Sequence, residues 1–241
     1  MRTIEKIAGV LIVALWAWAL IMWTATSFRG QESERIMRVE LGSDAASLNQ
    51  AVRGADPNDV AHNIEMVVRN TKLDFGFIVL YWLTFLSLAA LAGRRGQRLL
   101  AICSALLISA AAVCELFENG AILTTMRVKP FTDPVAVDIS EFSQWKWSGF
   151  FLASLLLGLA LAINHRVSTM RRVSGGLFVA SGVIGLFGMT RYRVSLGFAM
   201  GTINLALLLL SAALLLSLWK IFLSLRALND VEHVHHAHSH A

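Results

Sequence analysis

Several stretches of this chain are apolar for long enough to cross a bilayer as helices, six are candidate spans, and that repetition decides what it can fold into. A hydrocarbon core about 30 Å thick takes roughly 20 helical residues. Backbone amides find no water there, so only helices and closed barrels satisfy them. The stretches are Ile7–Phe28, Phe75–Gly93, Leu99–Thr124, Trp147–Ile163, Gly175–Met189 and Leu196–Phe222. The fifth is short and glycine-rich, which leaves open whether it crosses fully. Charged residues are only 15% of the chain, where soluble domains carry about 25%. The expectation is an all-α, polytopic transmembrane helix bundle of about six spans. The first stretch begins with Arg2 and Lys6, as a signal peptide does. Its apolar run is longer than a signal's and holds Trp16, Trp18 and Trp23, so it reads as an anchored span.

Residues 29–73 separate the first two spans and read as an outer helical loop, a small extramembrane cap. Within it, Asp56 is placed to cap a helix, Pro57 suits the first helical position, and Asp59 follows three residues after the cap. Val60, Ile64, Val67 and Val68 then recur at helical spacing. The second span therefore starts outside the membrane. Residues 33–53 suggest one or two shorter amphipathic helices, broken at Gly42–Ser43–Asp44. Residues 74–228 make the five-span remainder of the bundle, and 229–241 a histidine-rich tail.

Loop charges give an orientation. With the N-terminus inside, ten basic residues fall on the inner side: Arg2, Lys6, Arg94, Arg95, Arg98, Arg166, Arg171, Arg172, Lys220 and Arg226. Five fall outside: Arg127, Lys129, Lys146, Arg191 and Arg193. Cytoplasmic loops hold the excess of Lys and Arg, so both termini are expected in the cytoplasm of a bacterial-type inner membrane. The long first loop, with six basic and seven acidic residues, is nearly neutral. The net charge of +5 belongs to this loop bias rather than to a nucleic-acid surface. Cys103 and Cys114, eleven residues apart on one helix, are roughly 16 Å apart and cannot bridge.

"AVCELFENGAIL", residues 112–123, closes the third stretch and carries its chemistry. Glu115, Glu118 and Asn119 stand three and four residues apart, so a helix projects them from one face. Span lengths put Asp74, at the start of the second stretch, and Lys146, at the start of the fourth, at the same height. Ionisable groups at that depth cost on the order of 2.5–3.5 kcal/mol each, and face a partner, a water-filled cavity or a ligand. Asp74, Glu115, Glu118, Asn119 and Lys146 are therefore the candidate ligand- or ion-binding constellation. The plainer reading competes with it: Lys146, flanked by Trp145 and Trp147, also suits an interfacial anchor, and an ion pair here could serve packing alone.

"VELG" after the first span, "LDFGFIVLYW" opening the second, "CELFEN" ending the third and "KW" opening the fourth form a wider pattern. It resembles an uncharacterised group of bacterial multi-pass membrane proteins over roughly residues 1–165. The resemblance transfers no function. It implies only that Asp74, Glu118, Asn119 and Lys146 belong together.

Other features are weaker. Gly197 and Gly201 form a small-xxx-small motif, and Gly182, Gly185 and Gly188 dot the fifth span. They point to a tight hairpin of spans five and six, or to a membrane-protein partner or second copy docking through Gly197, Gly201, Gly182 and Gly185. Asn204, deep in the sixth span, is expected to make one interhelical hydrogen bond. His233, His235, His236, His238 and His240 suit weak metal binding in the tail, without a fixed geometry. The chain has no HExxH, GxSxG or Walker loop and no paired intramembrane histidines.

Three readings follow. The first is a binding or transport module whose polar cluster holds a cation, a proton or a lipid head group. The second is a membrane-embedded hydrolase or transferase acting on lipid, with a divalent metal on the carboxylates. The third is a structural subunit of a membrane complex. The absence of enzyme motifs weights the balance against the second, and no cofactor is otherwise indicated.

Overall fold

The computed structural model describes residues 2–25, 35–42, 44–53, 58, 60–126, 131–163, 168–192 and 195–238. Among them there are eight α-helices and no strand. Helix α1 is Arg2–Ala25, α2 Arg35–Leu41, α3 Ala45–Arg53, α4 Val60–Gly93, α5 Arg98–Met126, α6 Asp133–Ala162, α7 Thr169–Arg191 and α8 Leu196–His238. All but α2 and α3 are long and apolar enough to span a bilayer. The short fifth stretch lies in a 23-residue helix, about 34 Å long at ~1.5 Å per residue, which suffices to cross.

Large apolar side chains such as Leu106, Val113, Leu208 and Trp219 lie exposed on the outer surface of the bundle. In water such a surface would be a liability; in hydrocarbon it is the solvated face. The polar backbone is satisfied inside each helix. At the α4–α5 turn Gly96, at φ 102°, takes the left-handed conformation that a side chain resists.

Neighbours in sequence pack as neighbours in space along α4, α5, α6, α7 and α8, and α1 closes the ring mainly on α4 and less on α8. Glycines set the closest approaches. A Cβ on Gly158 would stand 2.6 Å from the Gly175 carbonyl oxygen, and one on Gly175 would stand 2.8 Å from that of Gly158. Gly185 lies against the Phe151 ring, and Gly182 against the α6 backbone at Phe151 and Leu155. The glycines of α7 therefore seat it on α6, with only Gly188 reaching α8, at Thr202 and Ala199. Gly182 and Gly185 are thus closed to any partner, contrary to expectation. Gly197 and Gly201 are exposed, with nothing near a Cβ placed on either; they serve no contact within the bundle. Asn204 is likewise exposed on α8 rather than turned inward to a neighbouring helix. All three face outward because α8 meets α7 through Ala199, Ile203, Ala206 and Leu210, the buried stripe of that helix.

Helix α4, with 34 residues, is about 51 Å long, so some 20 Å extends beyond a ~30 Å core. Its N-terminal turns carry α3, on which α2 packs. A separate apolar cluster there joins Val39, Leu48, Val52, Met66, Val67, Phe131 and Ile139. Asp44 caps α3, accepting from the Ser47 amide at 2.8 Å and the Ser47 hydroxyl at 2.7 Å. Asn49 holds Phe131 from both sides: its amide donates to the Phe131 carbonyl, and its carbonyl accepts from the Phe131 amide, each at 2.9 Å. The Ala45 amide donates to Asp133 at 3.0 Å. The bonds to Phe131 and Asp133 fix α3 against the start of α6. The expected cap at Asp56, Pro57 and Asp59 falls outside the described residues, as do Arg127, Lys129, Arg166 and Arg193.

Candidate functional site

Beneath α2 and α3, four helices bring their charged side chains to one point. Asp74 comes from α4, Glu115, Glu118 and Asn119 from α5, and Lys146 from α6, which are the five residues that spacing brought to one height. Glu115, Glu118, Asn119 and Lys146 are buried, with exposures of 7%, 1%, 4% and 3%. A sixth member comes from α2: Glu40.

Lys146 is the hub. Its Nζ lies 2.9 Å from Glu118 Oε2, 3.1 Å from Glu40 Oε2 and 3.6 Å from Glu115 Oε1. An ammonium has three protons and no lone pair, so three carboxylates match it in number. Taking such a charge out of water costs several kcal/mol, which only close counter-charges repay. Lys146 also lies over the Trp147 ring, 5.1 Å from its centroid. Trp147 in turn donates its indole N–H to Glu40 at 2.9 Å. Lys146 therefore points inward, and does not anchor the bundle at the lipid interface; the exposed Trp145 is left for that role.

The other carboxylates are tied as firmly. The Tyr81 hydroxyl donates to Glu115 Oε2 at 2.5 Å. The Asn119 amide donates to Asp74 Oδ2 at 2.8 Å. Ser143 is buried beside Glu118. Three carboxyl groups, from Glu40, Glu115 and Glu118, thus surround one ammonium, and Asp74 joins them through Asn119. Arg191 takes no part; it lies exposed over the Phe187 ring.

The cluster opens onto a cavity of about 250 Å³. Glu115, Tyr81, Lys146 and Trp147 form its polar end. Its walls are Leu15, Trp16 and Ala19 of α1, Phe77 and Phe85 of α4, Phe150 of α6, and Leu207, Leu210, Ser211 and Leu214 of α8. Trp16 belongs both to this wall and to the outer surface, where it is 38% exposed. The mouth therefore lies beside α1. Helices α1 and α8 touch at their far ends, where Gly9 meets Ile221 and Leu218. Asn204 is not part of the wall.

Lys146 Nζ occupies the space among Glu40, Glu115 and Glu118 that a divalent cation would need. Among the described residues, no three His, Cys, Asp or Glu side chains converge to hold a metal ion. The tail histidines lie outside this comparison, since His240 and the side chains of His233, His235, His236 and His238 are beyond what the structure describes.

Glu40 and Tyr81 were not among the residues singled out by spacing. Glu40 sits in the "VELG" segment, on α2, with its partners Lys146 and Trp147 far along the chain in α6, 107 residues away in the case of Trp147, and no periodicity links them. Tyr81 was legible in part: it lies seven residues after Asp74 on α4, two turns along the same face. No family model, curated protein or solved structure matches the chain. The functional reading therefore stands on geometry alone.

Proposed function

We propose that the chain is a membrane-embedded binding module that holds an amphiphile, with its apolar part in the cavity and its head against the Glu40, Asp74, Glu115, Glu118, Asn119 and Lys146 cluster. The observation that carries this is the cavity itself: apolar along its length, charged at one end and open beside α1 toward lipid. Its size approaches the ~300–1,000 Å³ of small-molecule pockets, which combine apolar walls with a few placed polar groups. Four carboxyl groups against one ammonium favour a head that brings positive charge, an amine or a protonated group. A cluster serving packing alone would leave no reason for such a cavity beside it. On the ten-to-five loop bias, the module sits in a bacterial-type inner membrane with both termini in the cytoplasm, and the head site then faces outward.

The test uses the full chain in detergent micelles and probes of one alkyl length: an alkylammonium, an alkyl sulfate and a neutral alkyl glycoside. The alkylammonium should raise the thermal midpoint most, saturably. Ser211→Phe, which fills the cavity without touching the cluster, should abolish the rise. Equal responses to all three heads, or an undiminished rise in Ser211→Phe, would count against the proposal.

A further inference from the structure

The opposite end of the bundle holds a second polar pocket that the amphiphile site does not use. It is a cavity of about 30 Å³, lined by Glu5 of α1, Arg95 of the α4–α5 turn, Arg171 and Ser174 of α7, and Ser217 and Lys220 of α8. Leucines of α4, α6 and α8 floor it. A water needs roughly 10–15 Å³ of such space, so the pocket suits about two waters or the oxygens of one small oxyanion.

Its charge balance is the reverse of the first site. Three basic residues face a single carboxylate, and that carboxylate is already engaged: Arg95 Nη2 lies 2.9 Å from Glu5 Oε1, with the Glu5 side chain only 8% exposed. Burial pulls the Arg95 guanidinium below its ordinary pKa even with Glu5 opposing, as befits a charge partly removed from water. Arg171 is half-buried and close enough to feel both Arg95 and Glu5. Among the described residues, no carboxylate lies within ion-pair distance of Arg171 or Lys220. Ser174 accepts or shares a hydrogen bond with Ser217 at 2.8 Å and donates to the Ala213 carbonyl at 2.9 Å, which fixes a polar wall beside them.

A loop-charge bias needs only exposed cations. Here cations from a turn and two helices converge on one pocket, beyond what their counter-ion neutralises. We propose that this pocket binds one phosphate-class oxyanion through Arg171 and Lys220, with the Arg95–Glu5 pair holding the wall. A guanidinium presents a planar fork that matches phosphate oxygens, and an ammonium adds a point charge. Basic pockets between membrane helices take anionic head groups in this way. The oxyanion is either the phosphate of an anionic lipid or free phosphate.

The test uses the full chain in nanodiscs of neutral phosphatidylcholine. Thermal midpoints are read against inorganic phosphate, with chloride at matched ionic strength as reference, and separately against a rising fraction of phosphatidic acid. A saturable rise with phosphate identifies the free ion as a ligand; a rise with phosphatidic acid alone identifies the lipid. Arg171→Gln and Lys220→Gln should each weaken the response about tenfold or more, as loss of a charge-assisted contact does. Arg226→Gln, the same charge change at an exposed position outside the pocket, should not. If Arg171→Gln does not fold, Lys220→Gln carries the comparison. No saturable response to either probe, or equal weakening by Arg226→Gln, would overturn the site.

Discussion

Lys146→Met isolates the part played by the buried ammonium. The side chain is 4% exposed, and methionine keeps most of its length and volume while removing the charge. Glu118, at 2.9 Å, and Glu40, at 3.1 Å, then lose their nearest counter-charge. Breaking a buried pair by removing one partner costs about 3–5 kcal/mol, because the orphaned charge stays out of water. An exposed pair would cost only about 0–1 kcal/mol, and the burial of Lys146 places it in the first regime. Adding Glu118→Gln removes the orphan closest to the vacancy, so the double variant should be more stable than Lys146→Met alone. Contacting residues couple by about 0.5–3 kcal/mol, and the difference should fall there. The assay is equilibrium unfolding in mixed micelles, followed by far-ultraviolet circular dichroism, for the wild type, both single variants and the double. Strictly additive effects would refute the reasoning, as would a Lys146→Met cost below about 1 kcal/mol, the surface-pair range.

Further expectations concern the frame around the site. Gly158→Ala puts a Cβ 2.6 Å from the Gly175 carbonyl oxygen, so α6 and α7 must part; overpacking of this kind costs about 1–3 kcal/mol, readable as a lower thermal midpoint. Asp44 is held below its ordinary 3.8 by the backbone and side-chain hydrogen bonds from Ser47. Its contribution to α3 should be complete above that value and lost as pH falls through the lower folded-state one, seen as faster amide exchange in α3 under acid. Cysteines placed in 44–53 or 132–140 should be labelled from outside sealed cells, and cysteines in 94–98 should not; the reverse pattern would invert the proposed orientation.

The spans were legible because hydrocarbon imposes one rule on every residue of a crossing helix, and a run of apolar side chains records it directly. The grouping of Glu115, Glu118 and Asn119 was equally open, since helical spacing alone puts them on one face. Asp74 and Lys146 could be placed by height, because span lengths act as rulers. Glu40 could not: its position depends on how α2 packs on α6, where it meets Lys146 and Trp147, the latter 107 residues along the chain. Periodicity carries no signal for such a pairing. The glycines of α7 showed that close packing occurs but not against which helix, because a glycine is small from every direction. Asn204 was misjudged for a related reason: polarity in a span predicts that a partner is needed, not that the same chain provides it.

The most direct test of the amphiphile site is native mass spectrometry of the full chain released from nanodiscs of its own cell membrane. The wild type should carry one additional mass of an amphiphile with an amine or protonatable head. Ser211→Phe should lose that mass while remaining folded, because only the cavity is filled. A wild-type protein released with no bound amphiphile, or a bound mass that persists unchanged in Ser211→Phe, would contradict the account.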